Sequence, residues 1–513
     1  MRLDLRTIAL FSTLVLVTSS CSVLRGSEPA ADSESRATPQ AETPFIDFQD
    51  VTDEVGAGTF PQRTWGSAWV DHDSNGTPDL FVNRHWADPQ FLMNGGASYE
   101  KVDIPALVGQ KFDRHGCAWG EANGDGLPDL YCLQGADKGL GSGPNALLLQ
   151  DAGGGFSDIA PEAGIEDPLG RGRSLNWIDY DTDGDLDIFI ANHERSEASN
   201  RLFRNDGGGS FSSVDVGLED SLASISSSWA DWDRDGDADL LVLQYGDAGP
   251  VAYENIGGRF EQTQLDGVTG RRWWSGAWGH ADDDPWPDLH LVSPGRSIVL
   301  RNVRGSFEVK HKMDLDQGRM SAWLDAENDG DMDLYIVQGA QGKDYRPTAT
   351  SRDARDILLE NEGETFSRRR LARPEGTVEG NGDAVAVADG DRDGFMDVFV
   401  TFGHVYWQGI SVLLRNNSHG GLWGAIDLKG PPENPLGIGA EVRVQAGDLS
   451  YVRGQTDGFN FRSQSEIGYV SLGFGEAISA EVQIRWPGGV TDCVTLEAGE
   501  IAAVSMGTAP CNT

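Results

Sequence analysis

The sequence predicts an all-β protein, a seven-bladed β-propeller followed by a small C-terminal β domain, and three observations carry that prediction. A motif D-x-D-x-D-G-x-x-D followed by apolar residues recurs seven times, with first positions at Asp71, Glu121, Asp179, Asp231, His280, Asp325 and Asp389. Two residues ahead of these stand Trp69, Trp119, Trp177, Trp229, Trp278 and Trp323, with Val387 in the last copy. No helical periodicity separates the copies, and a period of about fifty residues made of short strands and tight turns is the pattern of a propeller.

Taken in order, Met1 to Cys21 combines Arg2 and Arg6, the apolar run Ile8 to Val17, and the small residues Thr18, Ser19 and Ser20. That is the layout of a secretory signal, too short to span a bilayer stably. Val17-Thr18-Ser19-Ser20-Cys21 resembles a bacterial lipobox, with Thr18 where Leu is usual; Cys21 then carries a lipid anchor, and ordinary cleavage near the same point is the alternative. Ser22 after the cysteine favours an outer-membrane lipoprotein or the cell surface, against a secreted or periplasmic protein if cleavage is ordinary. Residues 22–44 are rich in Ser, Ala, Pro and Glu and read as a disordered tether.

Residues 45–419 hold the seven repeats. Directly after each acidic loop comes an alternating apolar segment, such as Leu80-Phe81-Val82, Ile188-Phe189-Ile190 or Val398-Phe399-Val400. Most repeats then show an apolar pair, an Asn or Gln, a Gly and a Phe. Each unit is therefore several short strands. The seventh runs out at Asn416-Asn417, while the N-terminus opens with the strand-like phrase Phe48-Gln49-Asp50-Val51-Thr52, so the N-terminal strand is expected to complete the last blade and close the ring.

The loops are the candidate site. Four carry acids at positions 1, 3, 5 and 9: Asp179, Asp181, Asp183, Asp187; Asp231, Asp233, Asp235, Asp239; Asp325, Glu327, Asp329, Asp333; and Asp389, Asp391, Asp393, Asp397. Loop one has Asp71, Asp73, Asn75 and Asp79, and loop two Glu121, Asn123, Asp125 and Asp129. Loop five is weakest, with His280 first, Pro285 in place of glycine, and Asp282, Asp284 and Asp288 remaining. Carboxylates at that density repel unless a cation lies among them, and irregular oxygen ligation suits Ca²⁺ better than Mg²⁺. Several structural calcium ions are therefore expected. They also account for much of the net charge of −41, from 40 basic and 81 acidic residues, which argues against nucleic acid or an anionic membrane surface as partner.

After Cys21 four cysteines remain, an even number in an oxidising compartment. Cys117 and Cys132 flank loop two, and Cys493 and Cys511 form a second local pair; four free buried thiols are the alternative. The aligned tryptophans read as packing between blades. Arg271-Arg272-Trp273-Trp274 breaks the repeat and is the more interesting candidate for ligand contact.

These loops and strands resemble FG-GAP/VCBS repeats, the units of the integrin α-chain propeller and of many secreted bacterial proteins, over Phe45 to Asn417. The resemblance implies calcium on positions 1, 3, 5 and 9, with a backbone carbonyl from position 7. Residues 420–513 leave the period and show strands at Ala440 to Val444 and Glu481 to Trp486. Gly437-Ile438-Gly439-Ala440, Ser471-Leu472-Gly473-Phe474-Gly475 and Trp486-Pro487-Gly488-Gly489 resemble the ASPIC/UnbV domain. Its usual G-x-x-x-Q segment is met only loosely, at Gly454-Gln455 and Arg462-Ser463-Gln464. Repeats followed by that domain are the arrangement of the cartilage acidic protein family, which implies an extracellular calcium-binding protein.

Two functions compete: a binding or adhesion scaffold for an extracellular protein or glycan, and a hydrolase or lyase with its site in the central channel or on a rim. No nucleophile and base, and no HExxH or Gly-x-Ser-x-Gly motif, is legible, and His85, His115, His193, His280 and His404 are scattered. The reading is therefore non-catalytic. A purely structural envelope component is a third alternative, and the charged insertion Arg346 to Asp356 is a candidate rim loop.

Overall fold

The computed structural model describes residues 45–511 except 60–63, 110–112, 136–142, 194–198, 219–222, 246–248, 269–271, 340–355, 372–381, 403–409 and 457. The leader, Cys21, the tether, Arg271, His404 and the insertion from Arg346 as far as 355 lie outside the described residues.

Each repeat folds as its alternation predicts, into an antiparallel meander of four strands. In the first, Thr64–Val70 and Asp79–Arg84 flank the acidic loop, and Gln90–Asn94 and Tyr99–Val102 follow outward. Among the described residues seven such sheets occur, one per acidic loop. Their innermost strands are Thr64–Val70, Arg114–Gly120, Gly172–Ile178, Ser224–Ala230, Ser275–Gly279, Gly318–Leu324 and Gly382–Ala388. Each touches the next, and the last touches the first, so the sheets form a closed ring. The N-terminal strand Phe48–Asp50 pairs antiparallel with Val412–Asn416 and supplies the fourth strand of the seventh sheet.

Closure is also written in hydrogen bonds. The recurring Asn or Gln ends the third strand of its sheet, and its side-chain amide donates to the carbonyl of loop position 2 in the preceding sheet. Asn94 reaches Gly390, Gln150 reaches His72, Asn205 reaches Ala122 and Asn255 reaches Tyr180. Asn302 reaches Trp232, Asn361 reaches Ala281 and Asn416 reaches Ala326. These seven bonds, of 2.7–3.2 Å, latch every sheet to its neighbour. Asn255→Ala should therefore cost about 2–3 kcal/mol, because it strands buried carbonyls of Tyr180 and Ala238; a denaturant melt measures it.

The tryptophans pack between sheets. Trp69, Trp119 and Trp177 are fully buried, and the indoles of Trp177 and Trp323 donate to the carbonyls of Ala118 and Ala277 in the preceding sheet. Glycine at the facing position makes room: a Cβ on Gly120 would meet the Trp177 ring at 2.2 Å. Trp273 is buried beneath the Arg296 guanidinium, and Trp274 lies edge-on to Phe461, so both serve packing rather than an open ligand face.

The C-terminal domain is two sheets around a core of Ile426, Val442, Val444, Leu472, Phe474, Ile484 and Trp486. One orders Tyr469–Gly475, Leu422–Lys429 and Ile501–Ser505; the other orders Leu449–Gln455, Ala440–Ala446, Ser479–Arg485 and Thr491–Glu497. Disulfides join Cys117 to Cys132 across the two inner strands of the second sheet and Cys493 to Cys511 near the C-terminus.

From this domain a hairpin, Phe459–Asn460 and Ser463–Gln464, enters the ring and joins the first sheet through a parallel bridge from Gln464 to Ala68. The Gln464 side chain accepts from the Trp119 amide at 2.7 Å and donates to the Trp119 carbonyl at 2.9 Å, acting as an extra ladder rung on the second sheet. Asn460 bonds Ser275 and Ser321 of the fifth and sixth, and Arg462 pairs with Asp383 of the seventh. The strand Phe459–Asn460 also contacts the inner strands of the third and fourth. One short hairpin thus touches every sheet and fills the ring's centre.

Candidate metal centres

All seven acidic loops join an innermost strand to the second strand of its sheet, so they lie at one end of the ring. Position 9 opens the second strand, and there Asp79, Asp129, Asp187, Asp239, Asp288, Asp333 and Asp397 are all buried. In every loop its Oδ1 accepts the backbone amide of the latch residue at 2.7–2.9 Å. In loops one to six its Oδ2 accepts the amide of position 2. This carboxylate therefore ties loop to sheet.

Position 5 shapes the turn. Asn75, Asp125, Asp183, Asp235, Asp284, Asp329 and Asp393 each accept the amide of position 7. Position 1 does the same one step earlier, with Asp71, Asp179, Asp325 and Asp389 accepting amides of positions 5 and 6. Glu121 takes three amides, from Asn123, Gly124 and Asp125, on its Oε1. The turn passes through the left-handed region at position 6, which glycine permits. It does so at position 4 as well, with φ of 57° at Ser74, 58° at Thr182, 60° at Arg234, 59° at Asn328 and 60° at Arg392.

What is left over points to a ligand. Buried carboxylate oxygens with no hydrogen-bond partner occur at position 3 in Asp181 Oδ1, Asp282 Oδ2, Glu327 Oε2 and Asp391 Oδ1, at position 1 in Asp231 Oδ1 and at position 7 in Asp237 Oδ1. Ligand atoms of Asp179, Asp181 and Asp187, of Asp231, Asp233 and Asp239, and of Asp389, Asp391 and Asp393 each fall within 4.8 Å of one another. In loop one the group is Asp73, Asp79 and His72, the last outside the sequence motif, with its Nδ1 2.6 Å from Asp79 Oδ2. Burial pushes Asp187 and Asp239 up to about 9 and Asp129 up to about 8, against the backbone amides that favour the charged form. Burial, with Asp329 second, holds Asp325 at about 7 and Glu327 at about 8. The chain's own groups thus supply too little positive charge, and a divalent cation fits the donor set.

Loop five stands apart. None of its described residues has positive φ, and Arg301 lies 2.6 Å from Asp282 and 3.2 Å from Asp284. Arg415 lies 2.8 Å from Asp391 of loop seven in the same way, so it is the turn, rather than the guanidinium, that sets Asp282, Asp284 and Asp288 apart from the other loops.

A second cluster escaped sequence reasoning because its members come from different sheets: His85, Asp113 and His115, all buried. Both imidazole Nε2 atoms contact Asp113 Oδ1, that of His115 at 2.9 Å, and Arg173 donates to His115 Nδ1. Arginine only donates, so Nε2 of His115 carries the proton and Nδ1 is taken by Arg173, which leaves neither nitrogen of His115 open to a metal. Burial and then Arg173 hold the pKa of His115 well below its usual value, so it is neutral. The cluster is a polar brace joining the first three sheets at the end away from the loops.

Over residues 121–190 and 179–242 the chain matches the FG-GAP-like repeat, and over 430–501 the ASPIC and UnbV domain. It is 23% identical over 450 residues to cartilage acidic protein 1 of Homo sapiens, covering 83% of this chain and 57% of that protein. The Mus musculus protein is 23% identical over 436 residues, covering 80% and 56%. The chain thus spans little more than half the length of these relatives. Among solved structures, a lectin of Agrocybe aegerita that recognises non-reducing terminal N-acetylglucosamine shares 15% identity, covering 68% of this chain and 93% of that one with a TM-score of 0.45. YCF48 from Cyanidioschyzon merolae shares 12%, covering 72% and 98% with a TM-score of 0.41. The repeats and the C-terminal domain are thus similar to the FG-GAP-like repeat and to the ASPIC and UnbV domain, and the chain as a whole is similar to cartilage acidic protein 1.

Proposed function

We propose that the protein is an exported, calcium-binding β-propeller that serves as a binding or adhesion scaffold for an extracellular protein or glycan, held at the outer membrane or cell surface through Cys21 or otherwise released. The observation that carries the calcium reading is the set of buried, unpartnered carboxylate oxygens on Asp181, Asp231, Glu327 and Asp391. Calcium would be held by positions 1, 3, 5 and 9 and would supply fixed positive charge, not chemistry on a substrate. A scaffold role is supported by the ring's centre, where Phe459, Phe461, Arg462 and Gln464 fill the space that a channel active site requires. Calorimetric titration of the mature protein tests the reading: several calcium sites are expected, and Asp181→Asn combined with Asp183→Asn should remove one. No heat on titration, or an unchanged number of sites in that variant, contradicts it.

A further inference from the structure

The C-terminal domain sits on the end of the ring that carries the acidic loops, and its hydrogen bonds fall on their backbone. In loop six the Gly421 amide donates to the Glu327 carbonyl at 2.7 Å and the Gly475 amide to the Asn328 carbonyl at 3.0 Å. Arg453 donates to the Gly330 carbonyl at 2.7 Å and reaches Asp325 Oδ2 at 3.4 Å. In loop seven Tyr469 donates to Asp389 Oδ2 at 2.8 Å, Ser471 to the Gly394 carbonyl, and Arg392 pairs with Glu466 at 2.5 Å. Loop four adds Arg234 to Glu441 at 2.6 Å.

These carbonyls point at the domain because positions 4 and 6 are left-handed, with φ of 59° at Asn328 and 95° at Gly330. Loop six is also the most enclosed of the loops, with Asp325 at 4% exposure, Glu327 at 3% and Asn328 at 0%. Yet Glu327 Oε2 and Asn328 Oδ1 there have no partner. Arg453 faces the acids of this loop, with Arg369 acting on Glu327 and Lys310 on Asp331, against Asp325, Glu327, Asp329, Asp331, Asp333 and the neighbouring Glu360, which leaves net negative charge for a divalent ion.

We infer that loop six holds a cation enclosed between the two domains, and that the C-terminal domain stays docked, with its hairpin in the ring, only while that cation keeps the loop in shape. The inference rests on the calcium reading above and adds to it a device: a domain whose attachment reports cation occupancy. The cation under it exchanges more slowly than those in loops one and three, to which no hydrogen bond from the domain is seen among the described residues.

Hydrogen–deuterium exchange of the mature protein, with calorimetry on the same samples, tests this. In Glu327→Gln with calcium present, segments 449–455, 459–464 and 469–475 should exchange about tenfold faster or more. The second strands Asp129–Gln134 and Asp239–Gln244 should stay protected, showing that the ring is folded. Asp181→Asn should lose its own site and leave the three segments protected. If calorimetry shows calcium leaving while they stay protected, or if Asp181→Asn exposes them equally, the coupling is wrong and the calcium reading stands. If no calcium binds, the reading beneath it falls and the inference with it.

Discussion

Moving the mature protein from calcium to chelator should remove about 8–11 kcal/mol of stability. A ligand that binds only the native state at a free concentration one hundred times its dissociation constant contributes about 2.7 kcal/mol per site. Unpartnered buried carboxylate oxygens occur in loops three, four, six and seven, and in loop five, where Asp282 Oδ2 lies 2.6 Å from Arg301. Three or four such terms reach the figure given, a large share of the stability of an ordinary domain. The loss has a structural route, since each loop sets the position of its latch residue through the position 9 carboxylate, and the latches join the sheets. Thermal melts in calcium and in chelator that coincide would show the loops to be turns without metal.

The second large effect is at the ring's centre. Gly66 has φ of 154°, and a Cβ there would lie 2.0 Å from the Arg462 carbonyl oxygen. Gly66→Ala should therefore push the hairpin out of place and cost about 3–5 kcal/mol, since neither backbone can yield without breaking the Gln464 and Ser463 bonds to the ring. Gly76→Ala is the control: it also has positive φ, at 91°, but nothing lies within 4 Å of its added Cβ, so only backbone strain of about 1–2 kcal/mol is expected. Equal melting temperatures for the two variants would mean that the hairpin contributes nothing to the ring.

Much of the fold was legible because its determinants repeat. The motif, the alternating segments and the Phe48 phrase each specify local structure, and in-phase repetition turned weak signals into an architecture. The latch was half legible: the Asn recurs visibly, but its partner is a backbone carbonyl some seventy or more residues away, and carbonyls carry no residue signature. The left-handed position 4 was not legible, since Ser74, Thr182, Arg234, Asn328 and Arg392 have nothing in common as residue types. At loop five Pro285 and His280 marked the departure, but only the structure shows Arg301 against the acids. The hairpin was missed because its sequence matches the expected C-terminal segment only loosely, though the small residues Gly66, Gly116, Ser174, Ser226 and Ser275 on the inner strands were a sign of something packed against them.

The measurement closest to the central claim is diffraction from crystals grown in calcium, with data collected near the calcium absorption edge. The account predicts anomalous peaks among the carboxylates of loops one, three, four, six and seven, and none in loop five, where Arg301 lies. Peaks absent from loops three, four and seven, or a strong peak in loop five beside Arg301, would contradict it.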